Sequence, residues 1–491
     1  MSALTDQPLN SPHPRGIYTL YFTEMWERMS YYGMRALLIL YMTAELARGG
    51  LGLDDATAGA IYGLYTCAVY LVALPGGWIS DRLIGPQRAV LFGGCIIALG
   101  HFVLAVPDTR AFFAGLLLVI LGTSLLKPNA SALVGTLYPE GGARRDAGFT
   151  LFYMGVNLGA FIGPIVCGLL GEKLNWHYGF AASGVGMVLG VVQYCLTRHH
   201  LGEAGLHPPA PSLTPGRDWG FIGAALVALA VVTGLAFAGV IVIRPIALAK
   251  GAMVAIVAVA VLWFAWAFLL ARLTTVEKKR LSVVAILFLA SALFWSGFEQ
   301  VGSVMNLFAE RYTNRTVLGF EVPAGWFQSI NALLILMLAL PVSAMWLGLA
   351  RRGSLPSLAG KFAAGLLLLA AGFVVMHFAA RSALSAGRVT GLWLCTTYLL
   401  HTIGELFLSP VGLSAVTKLA PTRLASQTMG IWFLATSLGN LLAGLLASGM
   451  SSENAAGMPA QFMHVAIIAG SGGLILLALS PFIRRLIPGI H

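Results

Sequence analysis

Charge is what this chain has least of. Only 10% of its 491 residues are Asp, Glu, Lys or Arg, against about 25% in soluble domains. Hydrophobic residues make up 58% of the chain and the mean hydropathy is +0.83. That excludes a water-soluble globular protein and leaves an all-α, polytopic membrane protein. Cysteine is scarce too. Cys67, Cys95, Cys167, Cys195 and Cys395 sit at scattered spacings inside apolar runs. Neither a zinc pattern nor a disulfide framework can be read from them, and buried free thiols are expected. There is no GxxxxGK[ST] string, no HExxH, no GxSxG and no paired metal-ligand motif. A nucleotide-driven pump and a membrane enzyme are therefore disfavoured, and no cofactor or metal is expected. The net charge of +11 comes from bases dispersed among short loops, which suits membrane topology better than nucleic-acid binding.

Runs of about 20 apolar residues broken by polar or Gly/Pro-containing stretches predict fourteen helices. Their expected limits are 17–44, 57–80, 87–106, 111–137, 147–171, 176–199, 218–243, 251–272, 282–310, 324–347, 358–380, 388–418, 424–448 and 461–486. Met1 to Gly16 is a polar arm with no cleavable signal pattern. With that arm inside, Lys and Arg fall about twice as often on the cytoplasmic side as outside, which places both termini in the cytoplasm. The stretch LGEAGLHPPAPSLTPGRDW reads as a linker. The two spans after it lack Asp and Glu and mid-span Lys or Arg, as an inserted pair of lipid-facing helices would. The expected organisation is an arm (1–16), a six-helix bundle (17–199), a linker with two inserted helices (200–281), a second six-helix bundle (282–486) and a cytoplasmic tail (487–491).

The first span carries the densest chemistry. In YFTEMWERMSYYGMRALLILYM, Glu24, Glu27, Arg28, Tyr31 and Arg35 share an arc of roughly 100° on one helical face. Each charge at mid-membrane depth costs about 2.5–3.5 kcal/mol on insertion scales, so such a face lines an ion or substrate path. In the fourth span Lys127 precedes Pro128, which frees a carbonyl in mid-helix, and Lys127 is expected to point inward. In the fifth, Asn157 lies one turn after Tyr153 and can both donate and accept hydrogen bonds. Gly155, Gly159 and Gly163 there form a ridge for close helix packing. In the second half Glu299 lies mid-span, and Glu405 stands just before Ser409 and Pro410. Asn331 and Trp295, Trp326 and Trp432 supply polar and aromatic walls, with Trp326 also fitting an interfacial belt.

The loop GGWISDRLIGPQRAV, with Gly77, Asp81, Arg82, Gly85 and Arg88, resembles the cytoplasmic loop motif of the major facilitator superfamily, where it acts as a conformational latch. EMWERMSYYGMR, LLKPNAS and DAGFTLFYMGVNLG together resemble the proton-coupled oligopeptide transporter (POT, or PTR2) family. FWSGFEQVGSVMNLFAER, WFQSINALLI, TIGELFLSPVGLS and MGIWFLATSLGN extend the likeness over almost the whole chain. Met29 departs from it, since the family commonly has Phe there. The resemblance implies a major facilitator fold with the inter-bundle helix pair typical of prokaryotic members. It also implies that Tyr31, Arg35, Tyr70, Lys127, Asn157, Trp295, Asn331, Glu405, Ser409 and Trp432 line a peptide site, and that Glu299 takes part in proton coupling.

Counting the deep groups gives a further expectation. Glu24, Glu27, Glu299 and Glu405 against Arg28, Arg35 and Lys127 leave one net negative charge, which one proton neutralises. Arg35 and Lys127 suit a peptide carboxylate, the former as a bidentate fork, and Glu405 suits the ammonium group. Protonation of Glu299 is expected to weaken its pairing with Arg35, while Glu24, Glu27, Arg28 and Lys127 couple proton movement to peptide binding. The expected function is inward, proton-driven symport of di- and tripeptides by alternating access, by a monomer in the plasma (inner) membrane with the bilayer, protons and peptides as partners. The alternatives are a proton-coupled carrier of another small solute such as nitrate, and a non-transporting peptide sensor.

Overall fold

The computed structural model describes residues 12–139, 142–354, 356–447 and 456–487. Most of the expected arm (1–11) and all but the first residue of the expected tail (488–491) lie outside them. Among the described residues, thirteen helical spans are long and apolar enough to cross a membrane. Helix α1 (Gly16–Thr43), 28 residues long, makes fourteen despite its charges. The others are α2 (Asp55–Leu71) with α3 (Ala73–Ile79), α4 (Pro86–Leu104), α5 (Thr109–Thr136), α6 (Gly142–Lys173), α7 (Trp176–Thr197), α8 (Pro215–Phe237) and α9 (Pro245–Leu269). They continue with α10 (Thr275–Phe298) and α11 (Val304–Tyr312), α12 (Ser329–Arg351), α13 (Leu358–Ala386), α14 (Leu392–Leu419), α15 (Ala425–Leu446) and α16 (Met458–Leu486). Two short ladders lie after α11: β1 (Thr313–Asn314) pairs in parallel with β4 (Val389–Thr390), and β2 (Thr316–Val317) pairs antiparallel with β3 (Phe320–Glu321).

The expected limits differ from these helices in four informative places. The second span is interrupted at Val72, because Pro75 cannot donate to the Leu71 carbonyl. The seventh stops at Phe237 instead of reaching 243. Gly239 turns with φ 76°, and the β-branched run Val240–Val242 that follows favours extended backbone. The ninth begins at Thr275, seven residues earlier than expected, behind a capping box in which Thr274 and Glu277 bond each other's backbone. That same span then breaks at Glu299.

The contacts divide the chain into two compact units: Met1–Leu37 with Val72–Arg244, and Leu38–Leu71 with Pro245–His491. In the first unit, α6 lays its glycine ridge on α1. A Cβ on Gly155, Gly159 or Gly163 would run into the Tyr21, Met25 or Met29 carbonyl. Both sets repeat every four residues, so one stripe of each helix meets along its length. From α7, Gly186 and Gly190 admit the Met29 and Trp26 side chains in the same way. The Gly76 backbone of α3 abuts the Ser124 carbonyl of α5, the one that Pro128 leaves without its helical donor. Asn129 Nδ2 donates to the next carbonyl, Leu125, at 2.7 Å.

In the second unit, α2 packs on α15 through Gly59, Gly63 and Gly444, where a Cβ at Gly59 would stand 2.6 Å from the Gly444 carbonyl oxygen. Helix α9 adds Ala249, Ile256 and Ala260 to the same core. The inserted helices are therefore not alike. The most apolar stretch of α8 is wholly unburied, as expected of a lipid-facing helix, whereas α9 commits one stripe to protein. The cysteines divide as well. Cys67 and Cys167 are buried, but Cys95 and Cys195 are exposed, facing outward from apolar spans instead of into the protein.

Candidate functional site

In the first unit the charged face of α1 closes on itself. Arg28 Nε lies 2.7 Å from Glu24 Oε1 and 2.8 Å from Glu27 Oε2, and its guanidinium stands 5.8 Å from the centre of the Tyr31 ring. Glu27 is 0% exposed, Glu24 3% and Arg28 4%. Two carboxylates against one guanidinium leave the triad one negative charge in excess. Glu24 Oε2 and Glu27 Oε1 are buried without a hydrogen-bond partner among the described residues. An acceptor left unpaired in a dry site costs about 1–3 kcal/mol, more when charged, so the arrangement favours one added proton. Lys127, half-buried on α5, is the next charge that acts on Glu27. Arg35 is buried, with its guanidinium 5.7 Å from the Tyr32 ring centre. Asn157 is buried and spends its amide N–H on the Tyr153 carbonyl at 2.9 Å, which leaves its carbonyl oxygen as the group for other partners.

The second unit holds the remaining acids. Helix α10 ends at Phe298, residues Glu299–Gly302 form a 3-10 turn, and Ser303 takes φ −122° and ψ −93° before α11 resumes. Glu299, 4% exposed, thus sits at a break in a membrane helix, the kind of place where transporters put substrate and ion groups. Glu405 of α14 is near enough to act on Glu299 electrostatically. Asn331 of α12 donates to Glu405 Oε2 and to Thr402 Oγ1, both at 3.0 Å. Asn331, expected from sequence as a polar wall of the peptide site, also orients Glu405. Trp295 packs edge-on to Phe294 and Phe298. Trp432 is buried against Phe362 and Gly412, filling a helix seam. Ser409 and Tyr70 are half-buried.

The loop read as a latch begins after α3 with a π-helical turn, Ser80–Ile84, and Gly85. Gly77 is half-buried, and Asp81, Arg82 and Arg88 are exposed; Arg82 stacks over Trp78 at 5.8 Å. The linker is laid along this loop. Ala210 and Ser212 N–H groups donate to the Asp81 and Arg82 carbonyls at 3.0 and 3.1 Å, and Gln87 Nε2 donates to the Gly202 and Ala204 carbonyls at 2.9 Å.

Sequence reasoning missed one pair altogether. Arg311 of α11 grips Asp55 of α2 with a bidentate fork, Nη1 to Oδ2 at 2.7 Å and Nη2 to Oδ1 at 2.8 Å. The partners are 256 residues apart, and each looks like an ordinary charge at a helix end. The only available signal was the Asp at the first turn of the second span.

Paired helical spans around buried charges, with a latch-like loop between α3 and α4, define a secondary transporter of the major facilitator fold. Residues 87–215 and 220–463 match the POT family (PTR2), and the chain belongs to that family, one of transporters and not of enzymes. It is 42% identical over 488 residues to the peptide transporter YePEPT of Yersinia enterocolitica, covering 96% of this chain and 95% of that one. It is 37% identical over 440 residues to a di-/tripeptide transporter of Lactococcus lactis, covering 86% and 87%. A crystal structure of a peptide transporter POT in complex with sulfate superposes with a TM-score of 0.90 at 40% identity, covering 97% of this chain and 96% of that one.

Proposed function

We propose that this protein imports di- and tripeptides together with protons, by alternating access, as a monomer in the inner membrane with both termini in the cytoplasm. The observation that carries the reading is the buried Glu24–Arg28–Glu27 triad with its excess negative charge and its two unpartnered carboxylate oxygens. The names of the relatives support the substrate class, and the bias of Lys and Arg among the loops supports the orientation.

In this reading a proton taken by the triad neutralises it, and Glu299, at the break between α10 and α11, takes part in the same coupling. The peptide ammonium group goes to Glu405, which Asn331, itself bonded to Thr402, holds in place. The peptide carboxylate goes to Arg35 and Lys127. Tyr31, Tyr70, Asn157, Trp295, Ser409 and Trp432 surround the backbone and side chains. Asp81, Arg82 and Arg88, with Gly77 for close packing, act as the latch on the cytoplasmic side. Asp55–Arg311 and the Gly59–Gly63–Gly444 seam serve as the clasp on the other side. About 2.3 kcal/mol per charge per 100 mV is available from the membrane potential.

The test is uptake of labelled di-alanine into proteoliposomes under an imposed inward proton gradient. Accumulation that unlabelled di- and tripeptides compete away, and nitrate does not, supports the reading. Competition by nitrate with indifference to peptides contradicts it.

A further inference from the structure

A second cluster of cations lies outside all of this machinery. From Pro323 to Ser452 the sequence contains a single acid, Glu405, yet Lys361 of α13 is 9% exposed. Lys361 and Lys418 line one cavity of about 260 Å³ together with Leu358, Pro410, Ser414 and Ala415. Lys418 is the other charge that acts on Lys361. Among the described residues no carboxylate pairs with either lysine and no hydrogen bond satisfies Lys361. Its ammonium group stands 5.4 Å from the centre of the Trp346 ring, an attraction worth about 0.5–2 kcal/mol. The indole N–H of Trp346 is itself buried without an acceptor.

Placement makes this more unfavourable. Lys361 lies in the first turns of α13, after the cap Ser357, where the helix dipole repels cations. The cavity therefore gathers two ammonium groups, the Ser414 hydroxyl and the positive end of a 29-residue helix, with no anion paired to them among the described residues. Burial of an uncompensated charge is strongly unfavourable, and a bound anion removes the penalty. The cavity is smaller than a typical drug-sized site and suits one tetrahedral oxyanion. Pro410, Ser414 and Lys418 are on its exposed side, and Lys418 is in the last turn of α14, so the site opens at the ends of its helices.

We infer that the cavity between α13 and α14 is a binding site for a phosphate-bearing anion, held by Lys361, Lys418 and Ser414. The phosphate can arrive as an anionic lipid headgroup or as free phosphate, and the experiment separates the two. The full-length protein in a neutral detergent is melted at fixed ionic strength while inorganic phosphate, phosphatidylglycerol or phosphatidylcholine is titrated in. A saturable rise in Tm is expected with a phosphate probe. A response to phosphatidylglycerol but not to inorganic phosphate identifies a headgroup site, and a response to inorganic phosphate identifies a free-anion site. Lys418→Gln and Lys361→Gln should move the titration midpoint about tenfold or more, the equivalent of about 1.4 kcal/mol, while Lys418→Arg should keep it. If Lys361→Gln does not fold, Lys418→Gln, at an exposed position, carries the test alone. No saturable rise with any probe, equal rises in Tm with the two lipids, or unchanged midpoints in the Gln variants would overturn the inference.

Discussion

The triad on α1 and the carboxylate on α14 are both acids within membrane helices, the first buried and the second half-buried, but they are held in opposite ways. Glu24 and Glu27 find their cation on their own helix, within one turn, and end with an acceptor oxygen each left over. Among the described residues Glu405 has no cation as a hydrogen-bond partner; it is held by the neutral donor Asn331, 74 residues away. A local cluster with a charge in excess is built to exchange a proton. A carboxylate oriented by an amide presents a fixed oxygen to a cationic ligand. The comparison assigns different work to acids that composition alone cannot tell apart.

Substitutions can break each side of it. The largest effect is expected where α1 is held. Gly159→Val places a side chain against the Met25 carbonyl, and overpacking of this kind costs about 1–3 kcal/mol or more. Here the obstacle is backbone, so loss of folded, monodisperse protein on size exclusion is expected. Glu405→Gln keeps an acceptor for Asn331 and removes only the charge. Affinity for di-alanine should fall about tenfold or more, a loss of at least about 1.4 kcal/mol, with Tm nearly unchanged. Asn331→Ala removes a hydrogen bond to a charged group, worth about 1.5–3 kcal/mol. Water can take the vacated donor position, so a weaker loss of peptide affinity is expected, with proton-driven uptake retained. Asp55→Asn should have the smallest effect. It breaks a fork whose arginine is 26% exposed, and a drop in Tm of a few degrees, partly reversed by exchanging the two residues, is the outcome to look for.

Much of this was legible from sequence because membrane helices are written in long apolar runs, and because a charge in such a run has few innocent reasons to be there. The α1 cluster could be read from spacing of three and four residues alone. The glycine ridge of α6 could be read as packing, though not its partner stripe Tyr21–Met25–Met29. Three things were hidden. The break at Glu299 carries no proline, and its Gly302–Ser303 pair is a weak signal in a sequence where glycines also serve as helix-packing ridges. The Asn331–Glu405 and Asp55–Arg311 partnerships join helices far apart in the chain, which no local pattern records. The different burial of α8 and α9 lies in which alanines face protein, and two uniformly apolar helices look the same in composition.

The central claim is that the Glu24–Arg28–Glu27 triad carries the proton and not the peptide. It is tested most directly by Glu27→Gln in proteoliposomes, comparing uptake driven by a proton gradient with peptide-for-peptide counterflow in the same vesicles. The account predicts that gradient-driven accumulation of di-alanine falls to background while counterflow continues. Accumulation at the unsubstituted level would contradict it.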